Sequence, residues 1–100
     1  EILQYDDVTL HGGTFQLRRN GEAVTLPKLE YRLMEVLIRN QGIYLSSEDL
    51  LVKVWGYNTE AELGTVWVYL SYLRKRLAKL GSRVKIKGRR GIGYTLEVGQ

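Results

Sequence analysis

Over the first 26 residues apolar side chains recur in the two-residue period of β-strands: Leu3 and Tyr5, Val8 and Leu10, Phe15 and Leu17, then Val24 and Leu26. Asp6-Asp7 and Gly12-Gly13 break the pattern. Asn20-Gly21 breaks it more sharply, because both residues tolerate the positive φ that a two-residue type I′ hairpin requires. A small antiparallel sheet is predicted. At Pro27 the period lengthens. Proline suits a helix start and Gly42 a helix end, so the first helix is expected from Pro27 to about Asn40. Lys28, Arg32, Glu35 and Arg39 form one narrow polar stripe on it. Leu29, Leu33, Met34, Val36, Leu37 and Ile38 cover most of the remaining circumference, the pattern of a largely buried helix.

Ser46 is a good N-cap for a second helix, with Glu48 and Asp49 placing negative charge against its first-turn amides. It should run to about Trp55 and stop at Gly56, and the polar, acidic residues 57–63 read as a connecting loop. In a third helix, residues 64–80, Val66, Leu70, Leu73, Leu77 and Leu80 form one core-facing stripe. Gly64, Val68, Ser71, Tyr72, Lys75 and Lys79 lie opposite, with Trp67 and Arg74 on a flank. Val84 and Ile86 alternate with Lys85 and Lys87, and Tyr94, Leu96 and Val98 with Thr95 and Glu97, giving a final hairpin over residues 84–98 with Arg89 and Arg90 at its tip.

Charge gives this pattern a direction. Residues 64–100 carry nine basic residues against the single acid Glu97, a net of +8, whereas residues 1–63 have a net of −4. Positive charge clustered on one helix and one hairpin is the footprint of phosphate neutralisation. A membrane surface would also attract it, but the basic segment lacks an uninterrupted apolar face to insert into lipid. One hundred residues with 44% apolar content suit one domain with a modest core. No apolar run approaches the roughly 20 residues of a membrane span, so a soluble domain is expected. The absence of cysteine excludes disulfides, thiolate nucleophiles and cysteine-ligated zinc, and suits a reducing cytosol. The chain opens on Glu1 without methionine, which suggests a fragment preceded by other domains.

Catalysis has little to stand on. His11 is the only histidine and is read as an ordinary strand residue; Glu60 and Glu62 lie in a loop without histidines, so neither metal nor cofactor is expected. Gly88, Gly91 and Gly93 precede no helix and are turn glycines, not a dinucleotide loop. Tyr69, flanking the core stripe, is read as packing and Tyr72, opposite it, as a DNA contact; Trp67 is open between the two roles. Val68 suits a thymine methyl. Lys75, Lys79, Lys85 and Lys87 are read as phosphate contacts as a set, and Arg90 as a cation placed to enter a minor groove.

Three helices followed by a basic hairpin is the winged-helix arrangement. The stretches Leu26-Pro-Lys-Leu-Glu30-Tyr31-Arg-Leu33, Leu50-Leu51-Val-Lys-Val54-Trp55-Gly56, Thr65-Val66 through Leu73-Arg74-Lys75, and Arg90-Gly-Ile-Gly-Tyr94 narrow it. Taken in order, they resemble the effector domain of OmpR/PhoB-family bacterial response regulators over essentially the whole chain. The resemblance implies an α+β winged helix-turn-helix with an N-terminal antiparallel sheet, and a cytoplasmic transcription factor binding tandem half-sites on double-stranded DNA as a dimer. It also implies an N-terminal receiver domain phosphorylated by a sensor kinase, and contact with RNA polymerase through residues 57–63. Trp55, Arg74, Arg90 and Tyr94 match the family pattern and join Thr65, Trp67, Val68, Ser71, Tyr72, Lys75, Lys79, Lys87 and Arg89 as the expected DNA-binding set.

The departures are Pro27 in place of a Ser or Thr cap, Gly64 for a phosphate-contacting arginine, Trp67 for an aspartate, Tyr72 for an arginine found in some members, Gly88 for a threonine and Arg89 for a small apolar residue. The competing readings are a winged helix that docks a protein through the aromatic face of its third helix, and non-specific RNA binding. The concentration of cations disfavours the first. The second would need aromatics spread over a sheet as stacking platforms.

Overall fold

The computed structural model describes residues 1–99. Four short strands, β1 (Ile2–Tyr5), β2 (Val8–His11), β3 (Gln16–Arg19) and β4 (Glu22–Thr25), form an antiparallel sheet in sequence order. The β3–β4 turn has φ of 49° at Asn20 and 80° at Gly21, the two positive values that Asn-Gly supplies at low cost. Val8, Leu10 and Leu17 project from one face into the core and are fully buried. Phe15 departs from the strand expectation. It sits in the β2–β3 turn with φ 58°, and its ring stacks on Tyr31 at 4.6 Å between centroids, an aromatic contact that outweighs continuing the alternation.

Helix α1 (Lys28–Arg39) follows Pro27, which makes no side-chain capping bond. Leu33, Met34, Leu37 and Ile38 of α1 are buried, while Leu29 and Val36 are only partly so. At α2 (Ser47–Leu50), Ser46 and Asp49 form a reciprocal capping box: the Asp49 amide donates to Ser46 Oγ at 3.0 Å and the Ser46 amide to Asp49 Oδ2 at 3.3 Å. The expected helix to Trp55 is completed by a wider π turn, Leu51–Trp55. Gly56, at φ 100°, ends it by donating its amide to the carbonyls of both Leu51 and Val52.

Helix α3 (Leu63–Lys79) presents Val66, Leu70, Leu73 and Leu77 to the core as its spacing requires. The hairpin of β5 (Val84–Arg89) and β6 (Gly93–Val98) closes the fold. Its alternation breaks in β6, where Thr95 and Leu96 are both buried and Val98 is exposed.

Attachments near its turn and at its base hold this hairpin to the body. Leu45 pairs with Tyr94, each amide donating to the other's carbonyl at 2.9 and 2.8 Å, so the α1–α2 connection is bridged to β6 at this one residue pair. At the hairpin's base, Asp7 from the β1–β2 turn accepts from Ser82 Oγ at 2.6 Å and from the Arg83 amide at 2.9 Å. A two-stranded hairpin alone is marginal in water; these bonds fix its orientation.

Candidate nucleic-acid interface

The outer face of α3 follows from the geometry of its inner one. With Val66, Leu70 and Leu73 committed to the core, a 3.6-residue repeat turns Trp67, Val68, Tyr72 and Lys75 outward. Trp67, Val68 and Tyr72 are 52%, 45% and 42% exposed, and Lys75 and Lys79 are exposed beyond them. Ser71 and Thr65 are half-buried on the same helix.

The aromatic rings are held in place. Trp67 donates its indole N–H to Ser47 Oγ at 3.0 Å, pinning the ring against the start of α2. Trp55 meets Tyr69 edge-on at 5.1 Å, and Tyr69 meets Tyr72 at 5.4 Å, so a row of rings runs from the π turn out to the exposed face. Tyr69 packs, as its position beside the core stripe suggested.

The hairpin stands beside this face. Its turn follows Arg89, with Ile92 N–H donating to the Arg89 carbonyl and Gly91 at φ 75°. Arg90 is exposed in the turn, and the Arg89 guanidinium lies 5.7 Å from the Tyr44 ring centroid, a cation–π contact that draws it toward the α1–α2 connection. Tyr94 is half-buried, with its ring against Gly88, where a Cβ would come within 3.1 Å of the ring. Ser46, Ser47, Glu48, Trp67 and the hairpin from Gly88 to Tyr94 line a cleft of about 410 Å³.

Acidic groups sort the cations of residues 64–99. Arg76 Nε donates to Glu30 Oε1 at 3.1 Å, and Glu30 is only 4% exposed. Arg83 binds Asp6 at 2.9 Å, and Lys87 lies 3.7 Å from Glu97. Arg74 is occupied differently: its Nη2 and Nε donate to the Ile86 carbonyl at 2.8 and 3.3 Å, tying α3 to the outer edge of β5. Among the described residues Lys75, Lys79, Lys85, Arg89 and Arg90 have no carboxylate within salt-bridge distance, and neither has Arg74. The basic set therefore resolves into cations anchored within the domain and cations free to meet a polyanion.

At Asp7, desolvation pushes the carboxyl upward, but hydrogen bonds from Ser82, the Arg83 amide and Arg19 outweigh it and hold the pKa below the ordinary 3.8.

Of the residues expected at the interface, Trp67, Val68, Tyr72, Lys75 and Lys79 share the outer face of α3, and Lys87, Arg89 and Arg90 are exposed on the hairpin beside it. Trp55 and Tyr94 are half-buried supports behind them, and Arg74 bridges the two elements. Sequence reasoning did not find Ser47, Tyr44 or the Ile86 carbonyl. Each acts by meeting a side chain distant in sequence, and no local pattern marks such a partner. Among the described residues no cluster of three or more His, Asp or Glu could hold a metal, and no helix is long and apolar enough to cross a membrane.

Residues 21–96 match the family model described as transcriptional regulatory protein, C terminal. The response regulator ArlR of Staphylococcus epidermidis is 34% identical over 96 residues, 96% of this chain and 44% of that protein; the Staphylococcus aureus ArlR has the same identity and coverage. The chain thus spans less than half the length of these relatives. The DNA-binding domain of Escherichia coli CadC superposes with a TM-score of 0.88 at 26% identity, covering 97% of this chain and 92% of that one. A streptococcal redox sensor described as evolved from two-component response regulators gives 0.84 at 32% identity, over 99% of this chain and 43% of its own.

Proposed function

This chain belongs to the family of C-terminal domains of transcriptional regulatory proteins, a response-regulator DNA-binding effector domain of the OmpR/PhoB type, and from that premise we propose how it engages DNA. Helix α3 enters the major groove, with Trp67, Val68, Ser71 and Tyr72 toward the bases and Lys75 and Lys79 on the backbone. The β5–β6 wing lays Lys85, Lys87 and Arg89 along phosphates and directs Arg90 into the adjacent minor groove. Trp55, Thr65 and Tyr94 complete the backbone contacts. The observation that carries this reading is the charge sorting. Among the basic residues of 64–99, those left without carboxylates lie on α3 and the wing, Lys87 has only the partly exposed Glu97 at 3.7 Å, and Arg76 and Arg83 are paired with Glu30 and Asp6.

In the intact protein, an N-terminal receiver domain phosphorylated by a sensor kinase controls the occupancy of tandem half-sites by two protomers in the bacterial cytoplasm. Residues 57–62, with Tyr57 88% exposed beside Glu60 and Glu62, form the surface offered to RNA polymerase.

Duplex affinity measured across a salt series tests the proposal. Each neutralised phosphate contributes a slope of about −0.9 in log K against log salt, so four to six contacts give roughly −3.5 to −5.5. Arg90→Ala should weaken binding by about 1–3 kcal/mol, most on sites flanked by an A·T-rich tract, whose narrow minor groove attracts arginine. A flat salt dependence would return the protein-docking alternative. Equal affinity of Arg90→Ala and wild type on every flank would remove the wing from the minor groove.

A further inference from the structure

We infer that α3 selects its DNA half-site through thymine methyl groups, an inference that rests on the proposed entry of this helix into the major groove. The N-terminal part of a recognition helix is the part that meets base edges. In this chain residues 63–73 contain no Arg, Lys, Asn, Gln, His, Asp or Glu. The first cation, Arg74, has its Nη2 and Nε on the Ile86 carbonyl. The bidentate pairings that identify guanine by Arg or Lys, and adenine by Asn or Gln, therefore have no donor on this stretch, and cytosine has no carboxylate to accept from its amine. The hydroxyls of Thr65, Ser71 and Tyr72 can bond to more than one base edge and discriminate weakly.

What α3 offers in their place is apolar. Trp67, Val68 and Tyr72 stand out from the helix, and the thymine C5-methyl is the apolar feature that distinguishes one base in the major groove. Both rings are held before DNA arrives, Trp67 by Ser47 and Tyr72 by Tyr69, which Trp55 backs in turn. Covering a methyl then costs little side-chain entropy.

A duplex site recovered by selection from random sequence supplies the test. It is compared with the same duplex carrying deoxyuridine for thymidine in the half-site, which removes the methyl and leaves every base-pairing group unchanged. Each buried methyl should be worth about four-fold in affinity, the equivalent of about 0.8 kcal/mol, so two methyls give roughly 15-fold. Val68→Ala and Tyr72→Ala should each shrink the ratio between thymidine and deoxyuridine duplexes. A 5-methylcytosine placed where a methyl was read should recover part of the affinity lost on a cytosine-substituted duplex. Equal binding of thymidine and deoxyuridine duplexes, with the steep salt dependence intact, would overturn methyl readout alone. Absence of salt-dependent binding to both would overturn the DNA reading with it.

Discussion

Replacing Gly93 with alanine should unseat the wing. Gly93 lies at φ 149°, and a Cβ there would sit 2.2 Å from the Leu45 carbonyl oxygen, 2.5 Å from its carbon and 2.9 Å from the Ser46 nitrogen. All three neighbours are backbone, so no rotamer change relieves the overlap. The chain must separate at the Leu45–Tyr94 pair, forfeiting its two hydrogen bonds at about 0.5–1.5 kcal/mol each, or retain a strained φ at about 1–3 kcal/mol. Either route costs about 1–3 kcal/mol, which in a domain of this size lowers the melting temperature by roughly 4–24 °C. Gly64→Ala is the matching control. Gly64 is helical with open space where its Cβ would go, so alanine should stabilise by about 0.5–1 kcal/mol. Thermal melts followed by circular dichroism read both. If Gly93→Ala melts within about 3 °C of wild type, the pairing that anchors the wing contributes far less than these geometries imply.

Asp7 sets an acid limit. Because its folded pKa is depressed, its contribution is complete above the ordinary carboxylate value of 3.8 and is lost as the pH falls through the lower folded value. Denaturant unfolding at pH 7 and pH 3 should show a smaller pH-dependent loss for Asp7→Asn than for wild type. Arg76→Ala leaves the buried Glu30 carboxylate without its partner and should cost about 1–3 kcal/mol of stability, the range set by Arg76 being partly exposed. Adding Glu30→Gln should recover part of that loss, and the salt slope for duplex DNA should stay at the wild-type value in both. Lys75→Ala should do the reverse, leaving the melting temperature in place and reducing the slope by about one contact.

Periodicity made the elements legible because their burial is one-sided. The stripe from Val66 to Leu77 and the alternation through Val8 and Leu10 place the same side chains in the core that the structure buries. Ser46 and Gly56 mark the ends of the second helix because capping and positive φ are local requirements. Phe15 misled because its stacking partner, Tyr31, is 16 residues away and on another element. The π turn before Gly56 left no periodic trace over five residues. At the interface, the outward positions of α3 were readable from the inward ones. The individual roles of the cations were not. Arg74 and Lys75 are adjacent in the chain and alike in charge, and they differ only in what lies across from them: the Ile86 carbonyl for Arg74 and open solvent for Lys75.

The pairing of Asp6, Asp7 and Glu30 with Arg83, Arg19 and Arg76 has a consequence for how the domain travels. With a net of −4 on residues 1–63 and +8 on residues 64–100, the positive surplus lies toward α3 and the wing. The molecule is therefore an electric dipole as well as a cation. In the field of a polyanion a dipole feels a torque before it makes any contact, so approach and rotation proceed together. With α3 and the wing as the proposed interface, fewer collisions should arrive backwards, and the search over orientations should narrow while the domain is still a Debye length, about 8 Å in physiological salt, from the surface.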